Sequence, residues 1–184
     1  MVLNDYIERK SLYYDFKSGL KLSKAKIADV MPIANNMRMS DEKECAMVGN
    51  EPFDSLMHPI IEHPDETYTI SIGNTPLAMC GTGHLDGSLN DAVIWGLGTN
   101  DINKNFRAYI RSSIPIVNYM QADYDYVMNL VPSDNYRTIS WLKYCKFEFS
   151  TEKKIYNGYE LLSFYRCNKF KSSIYNESSR PVMH

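Results

Sequence analysis

No stretch of the chain approaches the roughly 18 apolar residues of a membrane span, and its start, MVLNDYIERK, lacks the apolar core of a signal peptide. No direct membrane insertion is expected. Cysteine is sparse and scattered. Cys45, Cys80, Cys145 and Cys167 form no CxxC pair and no dense framework, which excludes a disulfide-stapled secreted module and reads as reduced core thiols. Neither sign of charge is in excess: 20 basic against 22 acidic residues leave a net charge of -2. Such a chain has no global positive field to gather phosphate backbones, so nucleic acid is not an expected partner. His58 and His63 have no Cys, Asp or Glu partners at ligand spacing, so no metal site is expected.

What is present is enough apolar residue, 44% of 184, for one core with an arm at either end. Tyrosine is abundant at 14 and suits interfaces. Residues 1–20 carry Leu3, Tyr6, Ile7, Tyr13, Tyr14 and Phe16 at spacings that suggest an amphipathic helical arm. A short strand over 21–25 leads to a helix with an apolar stripe of Val30, Ile33, Ala34 and Met37. A second helix starts near Ser40, and a third spans Pro52 to His63 with Phe53, Leu56, Met57, Ile60 and Ile61 inward. Period-two alternation from Thr67 predicts a half-buried strand, and Gly73-Asn74 turns it into a partner strand over 76–81. A mostly apolar strand over 92–99 precedes the longest helix, Asn103 to about Ala122, with Phe106, Ile110, Ile114, Val117 and Met120 as its stripe. A fifth strand over 126–131 ends at Pro132, Ser133 or Asp134 caps a helix through Tyr144, and 147–149 with 161–165 close a terminal hairpin. Residues 168–184 are a polar tail.

This order of elements over residues 21–167 resembles the GNAT acyltransferase superfamily. The sharper match is Asn135-Tyr136-Arg137-Thr138-Ile139-Ser140-Trp141-Leu142-Lys143-Tyr144-Cys145-Lys146-Phe147, which is similar to that superfamily's signature of Asn, a helix, then Gly-Phe entering the next strand. The resemblance implies an α/β (α+β) domain with a mixed, largely antiparallel seven-stranded sheet and helices on both faces. It also implies that the strands over 92–99 and 126–131 run parallel and splay at their C-terminal ends to admit the pantetheine arm of acetyl-coenzyme A. Ile94-Trp95-Gly96-Leu97-Gly98-Thr99 together with Ser140-Trp141-Leu142-Lys143 is further similar to GNAT-like internal virion proteins of short-tailed bacteriophages.

Three positions depart from the superfamily's pattern. The loop that should hold a pyrophosphate on free backbone N–H groups reads Thr99-Asn100-Asp101-Ile102-Asn103-Lys104-Asn105, with no glycine after Gly98 and with an acid that repels phosphate. The tyrosine expected seven residues after the signature Asn is Leu142, and the signature Gly is Lys146. The resemblance places candidate cofactor contacts at Leu97, Gly98, Thr99 and Asn135. Arg107 and Arg111, four apart on one helix face, could take phosphate in the loop's stead or form a solvated face. Candidate catalytic residues are His84, near where a general base would reach an amine, and Asn135, which could equally be a helix cap.

Two readings follow. In the first, the chain is a GNAT-fold phage protein with a degenerate acetyl-coenzyme A site and weak or no acyl transfer. It is then an internal, tail or assembly component, made in the host cytoplasm and carried in the virion, that binds phage structural proteins through its arms. In the alternative it is an active acetyl-coenzyme A-dependent N-acyltransferase modifying a host or phage amine.

Overall fold

The computed structural model describes residues 14–15 and 17–168. Twelve elements besides a two-residue edge strand build an eight-stranded sheet with helices on both faces. In chain order they are β1 (Tyr14–Asp15), β2 (Leu20–Lys24), α1 (Ile27–Ala34), α2 (Met39–Met47), α3 (Pro52–Glu62), β3 (Thr67–Ile72), β4 (Thr75–His84) and β5 (Asp91–Gly98). After a 3-10 turn over Asn100–Ile102 come α4 (Phe106–Gln121), β6 (Tyr126–Pro132), α5 (Tyr136–Tyr144), β7 (Glu148–Tyr156) and β8 (Tyr159–Cys167). The sheet order is β1-β2-β3-β4-β5-β6-β8-β7, and among the described residues only β5 and β6 pair in parallel. α4 is the crossover between them, as a parallel pair requires.

Strand alternation sorts the core into two layers. Ala78, Cys80 and Ile94 pack with Ile116, Val117 and Met120 of α4 and Ile139 and Leu142 of α5. Met79, Trp95 and Leu97, one residue out of phase, pack with Val30 and Ile33 of α1, Cys45 of α2 and Leu56 of α3. The sheet therefore separates an α4/α5 side from an α1–α3 side. The Val30 and Ile33 stripe is buried as its helical spacing predicts.

The seven expected strands are present, and five details correct the sequence reading. Tyr14–Asp15, inside the segment expected to be a helical arm, instead pairs with Lys21 and Leu22 as an extra edge strand. The other arm residues, 1–13, 16 and 169–184, lie outside the described residues. β3 is buried on both faces rather than one, because α1 and α3 cover its threonines: Thr67 Oγ1 donates to the carbonyls of Pro59 and His63, and Thr69 Oγ1 donates to Asp29 Oδ2 at 2.7 Å. In α3, Phe53 and Ile61 face outward while Leu56 is fully buried. In α4 the buried face is Ser112, Ser113, Ile116, Val117 and Met120, which leaves Phe106 exposed. The terminal hairpin is also longer than expected. Its turn is Asn157-Gly158, both at positive φ (48° and 80°), the backbone that Asn-Gly adopts in two-residue hairpin turns.

Candidate functional site

β5 and β6 stay paired only from Asp91↔Tyr126 to Val93↔Met128, although β5 runs on to Gly98 and β6 to Pro132. Beyond that point the strands diverge. Asn129 sits at the fork: its Nδ2 donates to the carbonyl of Ile94 at 2.9 Å, and its Oδ1 accepts the N–H of Leu130. The phase of β5 follows from the bond of Thr99 N–H to Leu77 O, which turns the N–H and C=O of Gly98, Gly96 and Ile94 toward the gap. Those of Gly98 are occupied, since Asp41 Oδ2 accepts its N–H at 2.6 Å and its carbonyl accepts from Arg38 N–H. Gly96 is left between them with its backbone aimed into the gap.

A cavity of about 1340 Å³ passes through this gap from one side of the sheet to the other. On the α1–α3 side its wall carries Arg38, Asp41 and Glu44, and on the α4/α5 side Tyr109, Ser113, Trp141 and Leu142. Asn135 caps α5 by accepting the N–H of Thr138 on its Oδ1, and with its Nδ2 it donates to Glu44 Oε1 at 2.8 Å. Burial, aided by the negative charge of nearby Asp41, raises the Glu44 carboxyl from its ordinary 4.5 to about 7, against the opposing pull of Asn135 and Arg38. Glu44 thus stands on a cavity wall as a carboxylate that gains and loses its proton near neutrality.

The loop between β5 and α4 is closed on itself. The N–H groups of Ile102, Asn103, Lys104 and Asn105 each bond the carbonyl three residues back, so none of these four points outward. The Asp101 carboxylate accepts from Asn36 Nδ2 and Lys104 Nζ, both at 2.7 Å, and these contacts, the lysine's foremost, hold its pKa below the usual carboxylate range. A Cβ on Gly98 would run into Ile102 Cδ1, so this glycine serves the packing of Ile102 and not an anion. Those four N–H groups are thus bonded within the chain and are not offered to a pyrophosphate. The gap, with its apolar walls and the Gly96 backbone, does fit a thioester arm.

Solved structures share this architecture. An acetyltransferase of the GNAT family from Bacillus anthracis superposes with a TM-score of 0.63 at 8% identity, covering 85% of this chain and 98% of its own. A ribosomal-protein-S5-alanine acetyltransferase from Vibrio fischeri gives 0.61 at 12% identity, covering 86% and 97%. A spermidine N-acetyltransferase chimera from Vibrio cholerae gives 0.58 at 15%, covering 81% and 95%. The chain has the GNAT acetyltransferase fold. No family model and no curated protein matches its sequence.

Within that GNAT frame the sequence-predicted residues fall in different places. Leu97 lines the cavity, Asn135 meets it through its bond to the lining carboxyl of Glu44, and Gly98 and Thr99 have their polar groups engaged by Asp41, Arg38 and Leu77. Arg107 and Arg111 are exposed on α4, whose cavity-facing residues include Phe106, Tyr109, Ile110, Ser113, Val117 and Met120. His84 lies at the opposite end of β4 from the splay, 4.0 Å from Glu66 and edge-to-face with Tyr124, and does not line the cavity. β4 runs four residues beyond Cys80 and carries His84 away from the gap. Leu142 does line it, and Lys146, at the signature's glycine position, holds the glycine-like φ of 70°. Sequence reasoning missed Glu44 and Arg137, the latter on the cavity wall with Nη1 donating to Asn103 Oδ1 at 3.1 Å.

Proposed function

We propose that this chain transfers an acyl group from a pantetheine-type thioester to an amine. The observation that carries the reading is Glu44, hydrogen-bonded to Asn135 on the wall of a cavity that runs through the splayed strands. In this reading the donor supplies a sulfur-activated carbonyl in the gap, oriented by the Gly96 backbone, with a phosphate of the donor reached by Arg137. The amine approaches from the α2/α3 side. Its nitrogen forms the C–N bond, its proton passes to the Glu44 carboxylate, and the C–S bond breaks with its electron pair going to sulfur. Leu142 offers no proton, so the departing thiolate takes one from solvent. The fold's neighbours include enzymes named for spermidine and for a ribosomal-protein alanine, so a polyamine and an N-terminal alanine peptide are the first acceptors to try.

Mass spectrometry of amines incubated with acetyl-coenzyme A and the protein tests this. Transfer by the wild type that falls about 100-fold or more in Glu44→Gln supports it. Transfer unaffected by that change removes Glu44 from the chemistry.

The closed 102–105 loop favours a second reading, in which the GNAT frame is kept as a scaffold in a phage particle and residues 1–20 and 168–184 dock on structural proteins. Acetyl-coenzyme A would then leave the melting temperature unmoved at millimolar concentration, and the chain would co-purify with particles.

A further inference from the structure

We propose that the cavity receives an acyl chain longer than acetyl, laid between α4 and the sheet, so that the donor is chosen by its chain and not by its nucleotide; this rests on the acyl-transfer reading above. The cavity does not stop at the gap. On the α4 side its wall continues from Val131 of β6 to Ile94, Cys80 and finally Ile70 of β3, roofed by Val117 and Met120. From β6 to β3 the sheet order crosses three strand spacings, about 14 Å at 4.7–4.9 Å each. An acetyl group reaches only the first of them.

Two residues explain the space. Gly96 faces α4 without a side chain, and a Cβ there would meet nothing nearer than Cys80 Cβ at 3.5 Å. Ser113 takes a central position on the inner face of α4 where the stripe elsewhere carries Ile116, Val117 and Met120. Its hydroxyl donates to Tyr109 O and accepts from Trp141 Nε1, both at 2.8 Å, so its polar atom is bound within the wall. Deeper on that side, from Val131 to Ile70 under Val117 and Met120, the wall is apolar, which disfavours a charged or hydroxylated guest there. The volume of about 1340 Å³ also exceeds the roughly 300–1,000 Å³ of common ligand pockets. With the N–H groups of residues 102–105 bonded within the loop, chain burial becomes the larger source of affinity, about four-fold per buried methylene.

The test uses the full chain and the fluorescence of its two tryptophans, Trp95 and Trp141, both on the cavity wall. Acetyl-, butanoyl- and octanoyl-coenzyme A are titrated in turn, with octanoyl-pantetheine as the form lacking the nucleotide. The inference expects octanoyl-coenzyme A to bind at least 100-fold tighter than acetyl-coenzyme A, and octanoyl-pantetheine to bind within about ten-fold of it. Met120→Phe, checked for folding by circular dichroism, should abolish the preference for octanoyl over acetyl. Equal affinity for acetyl and octanoyl donors would overturn the inference and leave the acyl-transfer reading standing. A 1,000-fold loss on removing the nucleotide would overturn it as well. Binding of no thioester at millimolar concentration would end both. The wild-type series decides the matter even where Met120→Phe fails to fold.

Discussion

Glu44 and Asn135 stand 91 residues apart in the chain and are joined by a 2.8 Å hydrogen bond across the mouth of the splayed strands. The bond ties α2 to the first turn of α5, and the neighbouring pair Lys43–Asp134, also 2.8 Å, repeats the tie one residue earlier in each partner. The exposed pair contributes little, whereas the Asn135 contact is shared between a cap and a half-buried carboxyl.

Because Glu44 titrates near 7, a base at this position should give acyl transfer that rises through about pH 7 and levels above it. Rates measured from pH 5.5 to 8.5 check this. A profile flat across that window would assign the proton to another group.

The same carboxyl makes stability fall with pH. Its folded pKa lies above its ordinary value of 4.5, so the protonated form is favoured by folding, with full effect below 4.5 and lost as pH rises through about 7. Glu44→Gln should therefore match the wild type near pH 4 and exceed it by about 1–3 kcal/mol above pH 7.5. Urea denaturation at the two pH values reads the difference.

Lys146 holds φ at 70°, a left-handed conformation that costs a side chain of this kind about 1 kcal/mol. Lys146→Gly should raise stability by about 0.5–1 kcal/mol, less than the full strain because glycine also frees the unfolded chain. An unchanged or lower denaturation midpoint would mean that the position is not strained.

Asp41, 2% exposed, receives Arg38 Nη2 at 2.7 Å, Ser40 Oγ at 2.9 Å and the N–H of Gly98 at 2.6 Å. Asp41→Ala would strand a partly buried guanidinium and an N–H at the end of β5. It should cost about 2–4 kcal/mol. Thermal denaturation checks it, and a loss under 1 kcal/mol would show that water replaces the clamp.

Arg137 lies on the cavity wall whereas Arg107 and Arg111 point to solvent. Arg137→Ala should weaken coenzyme A binding about ten-fold, the equivalent of one charge-assisted hydrogen bond. Arg107→Ala and Arg111→Ala should leave it within two-fold. Calorimetric titration separates the three, and the reverse ranking would return the phosphate to α4.

The element order was readable because each signal is local. A period-two run marked β3, the Gly73-Asn74 turn marked β4, apolar runs marked β5 and β6, the Val30 and Ile33 stripe marked α1, and Asn135 with its following helix marked the splay. The terminal hairpin was readable too, but β7 was drawn short because Glu152, Lys153 and Lys154 give it no apolar face to alternate. The chemistry of the gap was not readable in this way. Glu44 is one of 22 acids and sits in Met39–Met47, a helix whose sequence shows little amphipathic pattern. Only the packing of α2 over the β5 end, beside Asp41 and within reach of Asn135, takes that carboxyl from water and moves its proton affinity. Desolvation and neighbouring charge are properties of a place in the fold, and residues distant in sequence create that place.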